Sequence, residues 1–270
     1  MTNDTDMPAP LTEYQRELGT EYERMFRSKI YQHEGWEGFT NFGLFEAGVS
    51  GQADASRNLA DRVIALLDVA EGQALDVGCG LGGPTRRLGE RFGAGNVHGI
   101  NISDYQLERC RHNAPGVSFH RMPAECMTFG DATFDAVISV EAAPHFRGRR
   151  EFLAEAFRVL KPGGELAVAD LLFHGQPVGF DGMLEQQELH PAQDAYRALW
   201  EEAGFVDVRC HDVTDACWKG YYRSIRNQAL HDRLANTIDA RGFQQRLGVA
   251  SQLEQLPVSW YLLVHAIKPC

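Results

Sequence analysis

From Leu11 to Tyr31 the apolar residues Leu11, Tyr14, Leu18, Tyr22, Met25, Phe26 and Ile30 recur every three or four positions, with charges between them. That is the period of an amphipathic helix, and it predicts an N-terminal helix that packs on the following domain or lies over it as a lid. Ala53 to Leu67 repeats the period. The pattern then changes to short apolar runs at Ala74 to Val77, Asn96 to Asn101, Val117 to His120, Phe134 to Val140 and Glu165 to Asp170. Helical stretches separate them: Thr85 to Phe92, a segment opened by Ser103 or Asp104 as N-cap, and Arg149 to Leu160, which Pro162-Gly163-Gly164 stops. Strands alternating with helices predict an α/β domain around a mainly parallel sheet. Further on come a helix from Gln193 to Ala203 ended by Gly204, a strand from Val206 to Cys210 and a strand from Ser259 to Ile267. Between these last two strands lie roughly 45 residues with helical runs at Tyr221 to Leu234 and Phe243 to Leu256.

The stretch from Ala74 to Gly83 carries the first chemistry. An apolar strand end runs into Gly78-Cys79-Gly80-Leu81-Gly82-Gly83 and then into a helix, which brings bare backbone against a ligand and points to a nucleotide-like cofactor. The glycine spacing also satisfies the dinucleotide fingerprint, so an NAD-dependent oxidoreductase is the alternative from another class. Asp76 decides between them. A carboxylate two residues before the first glycine repels a pyrophosphate but suits a ligand bearing an ammonium and a sulfonium. The next strand ends at Ile100-Asn101-Ile102, an amide where an NAD site wants an acid for the ribose diol.

With Asp76, Gly78, Gly80 and Gly82 in an acid-x-Gly-x-Gly-x-Gly motif, the chain resembles the class I S-adenosylmethionine-dependent methyltransferases. Phe134-Asp135-Ala136-Val137 and Arg158-Val159-Leu160-Lys161-Pro162-Gly163-Gly164 fall where that family has its fourth strand and the turn before its fifth. The resemblance implies a doubly wound, Rossmann-like sheet of about seven strands with helices on both faces. It requires only a hairpin before the last strand, so residues 216–257 read as a helical cap insertion. The expected division is then a lid and aromatic loop at 1–50, a cofactor-binding core at 51–215, the cap, and the last core strand at 258–270. S-adenosylmethionine is the implied cofactor and S-adenosylhomocysteine its product. The cofactor-binding set is Asp76, Gly78, Cys79, Gly80, Asn101, Ile102, Gln106 and Val140, with Ala124 and Glu125 reading adenine because Pro123 stands where relatives carry an Asp.

Ligands of doubly wound sheets bind beyond the carboxyl ends of the strands, which makes Glu141, His145 and Asp170 the catalytic candidates. In similar sugar and polyketide O-methyltransferases a His after strand four and an Asp after strand five form a base pair. Here His145 and Asp170 hold those places, although the first of the two adjacent histidines often found there is Pro144. Relatives carry Asn-x-Gly-aromatic-Trp near the start, and this chain has Asn41-Phe42-Gly43-Leu44-Phe45. Aromatic faces attract a sulfonium and pack against apolar acceptors, so Tyr14, Tyr22, Tyr31, Trp36, Phe42, Tyr221 and Tyr222 are the acceptor-pocket candidates. The expected reaction is methylation of a hydroxyl on a small, natural-product-like acceptor. Methylation of carbon or nitrogen, and a binding-only relative without turnover, remain open.

Composition narrows the partners. A formal charge of -11 and a pI near 5.4 disfavour a nucleic-acid backbone. Met1 to Pro10 has neither a basic nor an apolar targeting region and no apolar run approaches a membrane span, so a cytoplasmic protein without membrane contact is expected, as a monomer or homodimer. The six cysteines lack paired spacing, which indicates buried thiols and neither a disulfide framework nor a metal site.

Overall fold

The computed structural model describes residues 10–27, 37–177 and 189–270. Seven strands form one sheet: β1 (Ala74–Val77), β2 (Val97–Asn101), β3 (Ser118–Arg121), β4 (Phe134–Val140), β5 (Leu160–Phe173), β6 (Val206–Asp212) and β7 (Val258–Ile267), in the order β3-β2-β1-β4-β5-β7-β6. β1 pairs in parallel with β2 on one side and β4 on the other, and β7 runs antiparallel between β5 and β6. The chain order therefore reverses between β1 and β4, which opens a crevice beyond their carboxyl ends. Among the described residues eight α-helices accompany the strands: α1 (Glu13–Phe26), α2 (Gly51–Ala65), α3 (Gly83–Phe92), α4 (Asp104–Asn113), α5 (Arg149–Val159), α6 (Gln193–Glu202), α7 (Gly220–Leu234) and α8 (Ala240–Glu254).

The period of two along the strands sorts side chains into two layers. Ala167, Ala169, Leu171 and Phe173 of β5, with Tyr261 and Leu263 of β7, pack under α2, α3, α7 and α8. Leu166, Val168 and Leu172, with Leu262, Val264 and Ala266, pack under α5 and α6. Strands buried on both faces read as continuous apolar runs, which is why β1 and β4 begin and end where the pattern places them. β5 is longer than its apolar run. It starts at Leu160 and continues to Phe173, because Gly163 and Gly164 exchange backbone hydrogen bonds with Lys268 and the strand stays paired with β7 up to Val258.

The starts of α1 and α4, two helices that contribute to the pocket, are chemically encoded. Thr12 accepts from the Gln15 backbone while the Gln15 side chain returns to the Thr12 N–H, a capping box that fixes the entry of α1. Ser103 accepts from the Gln106 N–H at the start of α4. The residues between β6 and β7 are indeed helical, but α7 and α8 lie on the α2 face of the sheet, with Trp218, Tyr222 and Ala250 in that core. Of the cysteines, Cys79, Cys110 and Cys217 are buried, whereas Cys126 and Cys270 are exposed. Among the described residues no helix is long and apolar enough to cross a membrane.

Candidate active site

The crevice deepens into a pocket of about 200 Å³. Its floor is the turn after β1. Gly78 has φ 76°, and a Cβ there would stand 2.3 Å from the Ala142 Cβ, so the close approach of this turn to the end of β4 requires glycine. The Gly78 and Cys79 N–H groups donate to the Ile100 carbonyl, tying the turn to β2. One wall is the segment from Ile100 to Ile102 with Gln106. The opposite wall is Val140, Glu141 and Ala142, and Met122, Ala124 and Glu125 close one end. α1 forms the roof through Gln15, Leu18, Tyr22, Met25 and Phe26.

Asn41 and Phe42 enter from the loop before α2, and polar bonds fix that loop. Gln52 Nε2 donates to the carbonyls of Asn41 and Phe42, Ser56 Oγ donates to the Asn41 carbonyl, and Asn41 Nδ2 donates to the Ser56 carbonyl. Asn41 is a residue of the pocket lining, and its Oδ1 is buried without a hydrogen-bond partner among the described residues.

Glu141 lies at the centre of the site. It follows β4 with φ 56°, the left-handed region that non-glycine residues adopt at a cost and that collects at functional sites. The Phe42 N–H donates to both carboxylate oxygens, at 2.8 and 3.0 Å, and the Tyr261 hydroxyl donates to Oε1. Burial pushes its carboxyl up to about 8, against the lowering effect of those two donors. His145, in the short helical turn from Ala143 to His145, meets the Tyr22 ring edge-on with centroids 5.3 Å apart. Glu125 accepts from Gln15 Nε2 at 3.1 Å and from the Arg147 N–H, and burial raises its carboxyl too. Among the described residues that line the pocket are two carboxylates and no lysine or arginine.

The structure brings most of the expected residues together. Gly78, Gly80, Asn101, Ile102, Gln106, Ala124, Glu125 and Val140 line the pocket with Glu141, His145 and Phe42. Others are elsewhere. Asp76 is buried below the floor, where it accepts from Thr85 Oγ1 at 2.6 Å, and burial pushes it up to about 7. It ties β1 to Thr85 of α3 and does not form the pocket wall. Cys79 is also below the floor, its sulfur 3.7 Å from that of Cys110.

Asp170 is fully buried on the α5 and α6 face. It accepts from Arg149 Nε at 2.7 Å, Arg149 Nη2 at 3.0 Å and the Tyr196 hydroxyl at 2.6 Å. Its carboxylate is committed to that pair and is not a pocket group. The reason is the strand period: Asp170 shares a face with Leu166, Val168 and Leu172. Tyr222 packs in the core against Trp218, and Tyr14 is a half-buried residue of α1 off the pocket wall. Tyr31 and Trp36 lie outside the described residues. Tyr221 and Trp218 touch the Phe42 ring, with centroids 4.9 and 5.2 Å away, so the insertion meets the site at that side chain.

Sequence reasoning missed Tyr261, Arg149 and Gln15. Tyr261 sits in a long apolar strand and carries no local signal of a polar partner more than a hundred residues away.

A family profile described as a methyltransferase domain matches residues 75–168, which spans the floor, both walls and strands β1 to β5. The chain is 32% identical over 234 residues to the methyltransferase GfsG of Streptomyces halstedii, covering 80% of this chain and 82% of that one. It is 29% identical to the 27-O-demethylrifamycin SV methyltransferase of Amycolatopsis mediterranei, over 87% of this chain and 91% of that one. The solved geranyl diphosphate C-methyltransferase of Streptomyces coelicolor A3(2) superposes with a TM-score of 0.71 at 18% identity, covering 97% of this chain and 100% of that one, a likeness of fold. The glycine floor, the polar wall after β2 and the extended match to GfsG agree: this chain belongs to the class I S-adenosylmethionine-dependent methyltransferases, in the branch that acts on small molecules of natural-product type.

Proposed function

We propose that the enzyme transfers the methyl group to a hydroxyl of a small, largely apolar acceptor, with His145 as the base. Support for the donor's seat comes from the pocket chemistry. A glycine floor, amides at Asn101 and Gln106, and the unpartnered Asn41 Oδ1 suit a nucleoside with an amino-acid tail. When bound, S-adenosylmethionine supplies a methyl on a sulfonium that is already activated for in-line displacement. The protein then contributes position and the exclusion of water. Leu18, Tyr22, Met25 and Phe26 of α1 and the Phe42 ring give the acceptor an apolar, aromatic surface. In this reading α1 acts as the cap, and the helical insertion acts through Phe42.

As the acceptor oxygen bonds to the methyl carbon and the carbon–sulfur bond breaks, the hydroxyl proton passes to a ring nitrogen of His145 and then to solvent. Asp170, bonded to Arg149 and Tyr196 outside the pocket, is given no part in this step. The observation that carries this reading is that His145, and not Asp170, shares the pocket with the glycine turn. A second reading, methylation of carbon, draws on Glu141. A pocket carboxyl raised to about 8 also suits removal of a proton from a carbon cation.

Incubation with methyl-labelled S-adenosylmethionine and a panel of neutral alcohols, with mass detection, tests this. The expected product is a methyl ether whose formation falls about 10²- to 10⁴-fold in His145→Ala. An ether formed by that variant at undiminished rate removes the base role, and label on carbon favours the second reading.

A further inference from the structure

We propose that Glu141, held between the Phe42 N–H and the Tyr261 hydroxyl, distinguishes the positively charged sulfonium donor from the uncharged thioether left after transfer, with Tyr261 as its positioning residue. The inference rests on the pocket being the S-adenosylmethionine site and adds to that reading a specific task for two side chains.

The geometry carries it. Glu141 is fixed on three sides: its own N–H donates to the Ala169 carbonyl, Phe42 donates to both of its oxygens, and Tyr261 reaches across from β7 to Oε1. The backbone accepts a left-handed φ to set it there. Each donor favours the ionised carboxylate, yet neither is charged.

Among the described residues, no lysine or arginine lines the pocket beside it. From β7 comes Tyr261, whose hydroxyl burial keeps protonated, and from the turn before α7 comes Cys217, a thiol that burial pushes far up. The pocket contributes His145 and Glu125. Asp170, on the neighbouring strand, is already balanced by Arg149. A carboxylate oriented by two neutral donors and open to a pocket that no described lysine or arginine lines is complementary to a ligand that brings its own positive charge. S-adenosylmethionine brings one at sulfur. S-adenosylhomocysteine does not, so the same group helps to retain the donor and release the product.

The proton count gives the arrangement a signature. Burial raises Glu141 to about 8, so below that pH the free pocket carries a neutral acid, and a sulfonium must displace its proton to be recognised. Preference for S-adenosylmethionine over S-adenosylhomocysteine should therefore rise with pH and level off above about 8. Tyr261→Phe removes a donor to the ionised form and should move that rise to higher pH.

Isothermal titration calorimetry of both ligands from pH 6 to 9, on the wild-type protein, Glu141→Gln and Tyr261→Phe, tests this without any acceptor. The expected wild-type preference grows about tenfold across the range, up to tenfold per pH unit being the limit for a single proton. Glu141→Gln should hold a lower, pH-independent ratio once the ligands' own titration is subtracted, and Tyr261→Phe should show the rise displaced upward. Equal loss of both ligands in Glu141→Gln would assign the carboxylate to the ammonium they share, and an unchanged ratio would leave it no role. Either result overturns the proposal. If Glu141→Gln fails to fold, Tyr261→Phe carries the test, and an unmoved rise overturns it. Absence of any binding by the wild-type protein would instead strike the cofactor reading on which the proposal rests.

Discussion

Where the pairing of β4 with β5 ends, two neighbouring positions carry acids, Glu141 and Asp170, with opposite outcomes. Asp170 occurs within the strand, so the pleat turns it under α5 and α6, where Arg149 and Tyr196 saturate it. Glu141 is the first residue past its strand. A left-handed backbone turns it back to the loop and to Tyr261, with two neutral donors and an open side facing the pocket. Only Glu141 lies beyond the end of its strand, where ligands of such sheets bind. What separates them is compensation. A buried carboxylate with its own guanidinium is structural, and one without is poised to meet a charged ligand or to hold a proton.

The largest break in this comparison comes from removing the guanidinium. Arg149→Ala leaves Asp170 buried and uncompensated and should lower the unfolding free energy by about 3–5 kcal/mol in urea titration. Asp170→Asn in that background should restore part of the loss, because the uncompensated charge is gone. Next comes the pH profile of the ligand-free protein. Asp76 and Glu141 hold protons in the folded state, near 7 and 8, that they release near the ordinary carboxylate range when unfolded. The folded state thus binds more protons between about pH 4 and 8, and stability is greatest at the acid side of that window and falls as pH rises through it. Glu141→Gln should flatten the upper part of this fall by about 2–3 kcal/mol, measured as the unfolding free energy at pH 6 against pH 8.5. The smallest effect belongs to Tyr196→Phe. It removes one donor to a charged acceptor that Arg149 still balances and should cost about 1–2 kcal/mol with no change in the pH profile.

The comparison also shows where the sequence is legible. β1 and β4 are buried on both faces, so their apolar runs coincide with the strands, and the glycine turn announces a close approach that Gly78 indeed makes. The pocket walls from Asn101 to Gln106 and from Val140 to His145 follow from that one topological fact. The directions of carboxylates do not. Asp76 follows the motif and yet turns to Thr85, because placement in a strand decides the face before electrostatics can act. Asp170 could have been assigned to the α5 and α6 side from its spacing to Leu166, Val168 and Leu172 alone. Tyr261 could not have been found, since its partner is set by the antiparallel register of β7 on β5, a long-range property without local trace. The helical insertion was legible as helices, but its seat on the α2 face is fixed by Trp218 and Tyr222, and Tyr222 reads equally well as a pocket aromatic.

The claim underlying the rest is that the glycine floor between β1 and β4 seats the methyl donor. Calorimetric titration of S-adenosylhomocysteine and of NADH into the wild-type protein and Gly78→Val tests it most directly, because any Cβ at this position collides with Ala142. Saturable binding of S-adenosylhomocysteine that Gly78→Val abolishes, with no heat from NADH, is the predicted result. Binding of NADH, or undiminished uptake of S-adenosylhomocysteine by a folded Gly78→Val, would contradict it.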